Sequence, residues 1–199
     1  MPQLFNLDLS MNFLNGSTPP SINKLKKLFL IDLSNNHLSG EIHDHWKGMQ
    51  NLYTVVLSKN NLSGGIPNSM CSLPGLIWLQ LSNNNLSGDL SSSLKNWSHI
   101  LAIDLGDNRF SGILPKWIGE RFFSIVALRL RGNMLSGNIP EELCNRTQIH
   151  VLDLGHNSLS RSIPTCLGRL GGYQYLYPTS SPIGTNSNLE HMDLVLKGR

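Results

Sequence analysis

Apolar and polar positions along this chain follow one rule, written seven times. In Leu79–Leu86 the apolar residues are Leu79, Leu81 and Leu86, and everything between them is polar, including the run Asn83, Asn84, Asn85. Alternation over 78–82 predicts a short strand, with Leu79 and Leu81 turned inward and Trp78, Gln80 and Ser82 turned outward. The same pattern recurs as "LDLSMNFLNG" (7–16), "IDLSNNHLSG" (31–40), "VVLSKNNLSG" (55–64), "LQLSNNNLSG" (79–88), "IDLGDNRFSG" (103–112), "LRLRGNMLSG" (128–137) and "LDLGHNSLSR" (152–161). Aligned, the seven copies place one asparagine at Asn12, Asn36, Asn60, Asn84, Asn108, Asn133 and Asn157, with spacings of 24, 24, 24, 24, 25 and 24. A unit of that length holds one strand and a return segment. It buries its apolar face only by stacking on the next unit, so the pattern predicts a solenoid.

The asparagine column has a physical reason. After the strand the chain bends inside the coil, and backbone groups in the bend need partners away from water. An asparagine side chain both accepts and donates, so it satisfies groups of its own turn and of the neighbouring turn, as the rung of a ladder. In the other half of the unit, "LSGGIPNSMCSLPGL" (62–76), "LSGNIPEELCNRTQI" (135–149) and "LSRSIPTCLGRL" (159–170) share an L-S-x-x-I-P core. The proline ends extended pairing, and the residues after it read as short helical or 3-10 turns on the convex side. Trp46, Trp97 and Trp117 fall there, as packing residues. From Tyr173 the period breaks, and 178–191 is a Ser/Pro/Asn-rich stretch without a rung. The organisation expected is seven repeats over 1–172 and an irregular segment over 173–199.

Composition narrows the function classes. Charged residues make up 15% of the chain, the net charge is +3, and the densest basic cluster is the short run Lys24, Lys26, Lys27. A nucleic-acid surface needs a longer basic stripe with interleaved aromatics, so no nucleic-acid partner is expected. No apolar run reaches the roughly 18 residues of a membrane span, and the first residues do not read as a signal peptide. No nucleophile elbow, zinc-protease helix, phosphate loop or paired-cysteine redox motif occurs. His43 and His45 flank Asp44 in a surface segment, with His43 standing where other repeats have proline. Neither a metal site nor a cofactor is expected, and nothing points to an enzyme.

The template L-x-x-L-x-L-x-x-N-x-L is that of the leucine-rich repeat, and "LSGxIP" after the rung resembles the plant-specific subclass. The resemblance implies an α/β solenoid, a plant-type horseshoe with a parallel β-sheet on its concave face, short 3-10 or helical turns, and extra short strands elsewhere. Residues 114–168, through the steps "LPxWIGE", "LRLRxNxLSGxIPxxLC" and "IPxCLG", are similar to the last repeats before the island of plant receptor-like proteins. "LVLKGR" (194–199) is similar to the end of that island. The resemblance implies a non-catalytic recognition module on the extracellular side of the plasma membrane. It would bind a peptide or microbial protein for defence or developmental signalling, with a receptor kinase as partner or co-receptor. Two alternatives share the fold: the ectodomain of a receptor kinase, or a secreted polygalacturonase-inhibiting protein. Because the chain starts inside a strand with no cysteine-flanked cap, an internal fragment is expected, prone to aggregate alone. Family resemblance supports a disulfide between Cys144 and Cys166. The two sit at nearby offsets on adjacent coils about 4.8 Å apart, within bridging range. Cys71, three coils away, is then a buried free thiol.

Candidate surface residues come from columns read across the repeats. Against a background of Asp and Ser, the outward strand positions depart at Val56, Trp78, Gln80, Arg129 and Arg131. The two arginines, with Asp104 and Asp107 on the preceding coil, form either a carboxylate-binding notch or an internal surface ion pair. Trp78 is a candidate aromatic anchor. Five N-x-S/T sequons mark glycosylation candidates: Asn15, Asn61, Asn85, Asn96 and Asn145.

Overall fold

The computed structural model describes residues 3–90, 94 and 96–170; the irregular segment expected over 173–199 lies outside them. Each repeat forms one coil, numbered here one to seven by its rung. The first sheet is β1 (Asn6–Asp8), β3 (Leu30–Asp32), β5 (Thr54–Val56), β7 (Trp78–Gln80), β9 (Ala102–Asp104), β11 (Ala127–Arg129) and β13 (Val151–Asp153), all parallel and paired in that order. Its register joins Leu7, Ile31, Val55, Leu79, Ile103, Leu128 and Leu152 in one row. The 25-residue step therefore leaves the sheet in phase. A one-residue slip would have turned every apolar side chain outward.

A second seven-stranded parallel sheet follows the bend. It comprises β2 (Asn15–Gly16), β4 (His37–Glu41), β6 (Asn61–Gly64), β8 (Asn85–Asp89), β10 (Arg109–Ile113), β12 (Met134–Gly137) and β14 (Ser158–Leu159). The L-S-G segments build it, and the prolines stop it: Pro67 and Pro140 stand at the N-caps of α1 (Asn68–Cys71) and of the 3-10 turn Glu141–Asn145. A five-residue helix, α2 (Trp117–Arg121), occupies the same convex place in coil five.

The core is a stack of side-chain columns. Leu28, Leu52, Leu76, Ile100, Ile125 and Ile149 are each at most 2% exposed, and the inward strand residues Ile31, Val55, Leu79, Ile103 and Leu128 lie beside them. Full burial of each such side chain contributes roughly 1.5–3 kcal/mol. Trp46 and Trp97 are buried on the convex side, and the Trp97 indole donates to the Met70 carbonyl at 3.1 Å. Trp117 packs edge-on against Phe122 with centroids 5.4 Å apart.

The asparagine ladder runs through this core. Asn84 Oδ1 accepts from the Leu62 amide of the preceding coil at 3.0 Å. Its Nδ2 donates to the carbonyls of Leu57, Leu81 and Ser82. Asn36, Asn60, Asn108, Asn133 and Asn157 repeat the arrangement. Asn12, in the first coil, is exposed and bonds only the Leu9 and Ser10 carbonyls of its own turn. The residue before each rung is left-handed: Met11, Asn35, Lys59, Asn83, Asp107 and His156 have φ between 51° and 56°, and Gly132 has φ 66°. Asn and Asp tolerate that region, whereas Lys59 and Met11 are strained there.

Candidate ligand-binding face

The first sheet carries the outward columns that the sequence singles out. Its aspartates hold the turn. Asp8, Asp32, Asp104 and Asp153 each accept, through Oδ1, the backbone amide two residues on, at 2.9, 2.9, 3.0 and 3.2 Å. Such a carboxylate closes an Asx-type turn at the end of the strand. Val56, Gln80 and Arg129 occupy the same column in coils three, four and six with side chains of other chemistry, and all three are half-buried. Trp78, one column toward the start of the strand, is also half-buried and pairs in register with Thr54 and Ala102.

The arginine pair divides in two. Arg129 lies in register between Asp104 and Asp153, and its Nη1 is 3.7 Å from Asp104 Oδ2. Asp104 is buried, which pushes its carboxyl above the ordinary aspartate range despite the Gly106 amide and the Arg129 charge drawing it down. Arg129 is thereby engaged inside the sheet. Arg131 is exposed and takes part in neither of the two ion pairs formed among the described residues. Its neighbours in the same column are Gly106 and Gly155, where the first four coils have Ser10, Ser34, Ser58 and Ser82. A Cβ on Gly155 would lie 4.0 Å from Arg131 Nη1, and one on Gly106 would lie 3.4 Å from the Arg131 carbonyl. The Arg131 guanidinium therefore lies close to Gly155, whereas buried Gly106 faces the Arg131 backbone and the Asp104 carboxylate. Asp107 is not drawn into this group. It is exposed, and its carboxylate leans toward Gly132, which has φ 66° and no room for a Cβ beside it.

Ser82, expected outward, is 6% exposed, and Ser58 in the same column is 4% exposed. Column reading also passed over the position just before the first sheet, where Phe5, Phe29 and Tyr53 stack in sequence at 5.5 and 5.8 Å. The same alignment, shifted by one column, shows them as three aromatics in a row.

The sequons lie away from this face. Asn15, Asn61 and Asn85 open β2, β6 and β8; the first two are exposed and Asn85 is half-buried between coils. Asn96 and Asn145 are exposed on the segments leading into β9 and β13. Cys144 and Cys166 are disulfide-bonded with Cα atoms 5.7 Å apart, tying the convex turns of coils six and seven. Cys71 is buried and free, and desolvation pushes its thiol up to about 11. His43 and His45 have ring centroids 5.9 Å apart, and no group of three metal-ligating side chains occurs among the described residues.

The leucine-rich-repeat family model matches residues 3–25, 27–49, 51–73, 75–97, 124–146 and 148–170. Among solved structures, the chain is similar to the plant peptide hormone receptor RGFR1 in complex with RGF2. The identity is 35% and the TM-score 0.77, over 81% of this chain and 26% of that one. It is similar to the Arabidopsis receptor kinase HAESA in complex with the peptide hormone IDA and the co-receptor SERK1, at 34% identity and TM-score 0.77, over 84% and 28%. A plant ice-binding protein shares the architecture at 28% identity and TM-score 0.71, over 85% and 62%. The chain thus spans about a quarter of the length of the receptor ectodomains it matches. Among curated proteins no match was found.

Proposed function

The chain belongs to the leucine-rich-repeat family, and from that premise we propose that it is part of a plant cell-surface receptor ectodomain whose concave sheet recognises a peptide or protein ligand. The reading places it outside the plasma membrane, with a receptor kinase as signalling partner for defence or development. Support comes from the ligands named for its neighbours: RGF2 for RGFR1, and IDA with the co-receptor SERK1 for HAESA. The ice-binding neighbour shows that the scaffold alone does not choose a function, so the argument rests on side chains.

The observation that carries it is the exposed Arg131 guanidinium beside Gly155, outside both ion pairs formed among the described residues. A guanidinium offers a planar fork matched to a carboxylate. Arg129 is already held by Asp104, and it keeps the strand's second cation in line without competing for the ligand. Arg131 is left exposed beside Gly155, to take a ligand carboxylate in bidentate fashion. Trp78, two coils away and so about 10 Å along the solenoid, supplies an apolar anchor for a residue roughly three positions removed in an extended peptide. Val56 and Gln80 border the anchor. Recognition is then pure binding on a rigid sheet.

The test uses random decapeptide libraries with free or amidated C-termini, passed over the immobilised chain. The wild type should retain free-carboxylate peptides enriched in apolar residues, and Arg131→Gln should weaken them by roughly 10–100-fold, the cost of a lost charged hydrogen bond. Trp78→Ala should remove the apolar preference. Equal retention of amidated and free peptides would count against carboxylate capture by Arg131.

A further inference from the structure

The second surface lies on the flank where the chain enters the first sheet, apart from Arg131 on the concave face. Phe5 and Phe29 stack at 5.5 Å with planes 12° apart, and Phe29 and Tyr53 stack at 5.8 Å and 17°. Tyr53 also packs against Gly75, where an added Cβ would be 3.0 Å from a ring carbon. Phe29 thus has a ring stacked on either side of it. Even so, Phe5, Phe29 and Tyr53 remain 45%, 38% and 43% exposed, a row of apolar rings open to solvent.

Lysines lie on the two segments that lead into Phe29 and Tyr53. Lys24, Lys26 and Lys27 precede Phe29, Lys47 precedes Tyr53, and all four are exposed. Lys26 Nζ donates to the Lys47 carbonyl at 2.9 Å, and Asn51 Nδ2 donates to the Lys26 carbonyl at 3.4 Å, which ties the two entry loops together. Residues 19–29 and 45–54 contain no Asp or Glu. None of the four lysines belongs to an ion pair among the described residues. The flank also lacks sequons in coils one to four: Asn15, Asn61 and Asn85 lie on the second sheet, and Asn96 and Asn145 enter coils five and seven.

We propose that this flank, formed by Phe5, Phe29 and Tyr53 with Lys26, Lys27 and Lys47, is a docking surface for an acidic, apolar-bearing segment of a partner protein. Charge complementarity selects the acidic partner: four exposed lysines lie on segments that carry no Asp or Glu over 19–29 and 45–54. Exposed apolar rings beside those cations select a partner that carries apolar and acidic groups together, as a protein segment does and a polysaccharide acid does not.

The experiment uses the whole 199-residue chain and a fluorescein-labelled random copolymer of Glu and Tyr, followed by anisotropy at low salt. The wild type should bind it, and bind a Glu homopolymer several-fold more weakly. Lys26→Glu/Lys27→Glu/Lys47→Glu, changed only at exposed positions, should lose roughly tenfold or more in affinity, equivalent to about 1.4 kcal/mol. Phe29→Ser/Tyr53→Ser should lose a similar amount while Arg131→Gln binds as wild type. Unchanged binding by the lysine variant overturns the proposal even if the aromatic variant does not fold. So does polygalacturonate displacing the copolymer from the wild type and binding the aromatic variant unimpaired, because the site would then be a polysaccharide site.

Discussion

Replacing Asn84 with alanine tests the ladder, and the structure sets the magnitude. Asn84 makes four bonds: it accepts from the Leu62 amide and donates to the carbonyls of Leu57, Leu81 and Ser82. Each of those carbonyls has a second donor, namely Asn60 Nδ2 for Leu57, Asn108 Nδ2 for Leu81 and the Lys59 amide for Ser82. Only the Leu62 N–H is orphaned, inside the core, and that costs about 1–3 kcal/mol. With smaller losses at the carbonyls, Asn84→Ala should destabilise by roughly 2–4 kcal/mol. Asn12→Ala removes only two bonds at an exposed site and should cost less than about 1 kcal/mol. Urea unfolding compares the two, and native-state hydrogen exchange should show the Leu62 amide losing protection only in Asn84→Ala. If both variants cost the same, or the Leu62 amide exchanges no faster, the rung is not what satisfies it. Asn84→Asp sharpens the point. It keeps the acceptor but aims a second oxygen at three carbonyls, so it must be protonated to fit and should be more damaging at pH 7 than at pH 4.

Two further predictions follow from close approaches and burial. A Cβ on Gly119 would collide with the Glu142 carbonyl, where α2 meets the turn of coil six. Gly119→Ala should therefore lower stability by about 1–3 kcal/mol through overpacking, whereas Gly168→Ala, with nothing within 4 Å, should leave the urea midpoint almost unchanged. Asp104 has its carboxyl raised by burial, so between the ordinary aspartate value of about 3.9 and the raised folded value, the folded state binds more protons. Its contribution to stability then falls as pH rises through that window, and the full penalty persists above it. Asp104→Asn should flatten that part of the stability–pH profile and gain most at neutral pH; matching profiles would refute the assignment.

What the sequence determined by itself was everything that repeats. The period of 24 residues, the inward Leu and Ile columns, the strand register and the rungs all follow from local alternation and backbone satisfaction, because a stack of like units has only one way to bury its apolar faces. The bridge between Cys144 and Cys166 was supported in the sequence by family resemblance, with the spacing of neighbouring coils placing the pair within range. What the tertiary structure decided was which side chains at the departures from the repeat remain open. Arg129 and Arg131 look alike in the chain, yet Asp104 lies across from one and the other is exposed beside Gly155. The triplet in coil four shows the same division. Asn84 is the rung, Asn83 carries the left-handed turn at φ 56°, and Asn85 is half-buried by the coils beside it. Phe5, Phe29 and Tyr53 became a stack only when parallel coils brought residues 24 apart to within ring contact. Such contacts depend on lateral spacing between coils, a property of the assembled stack and of no single repeat.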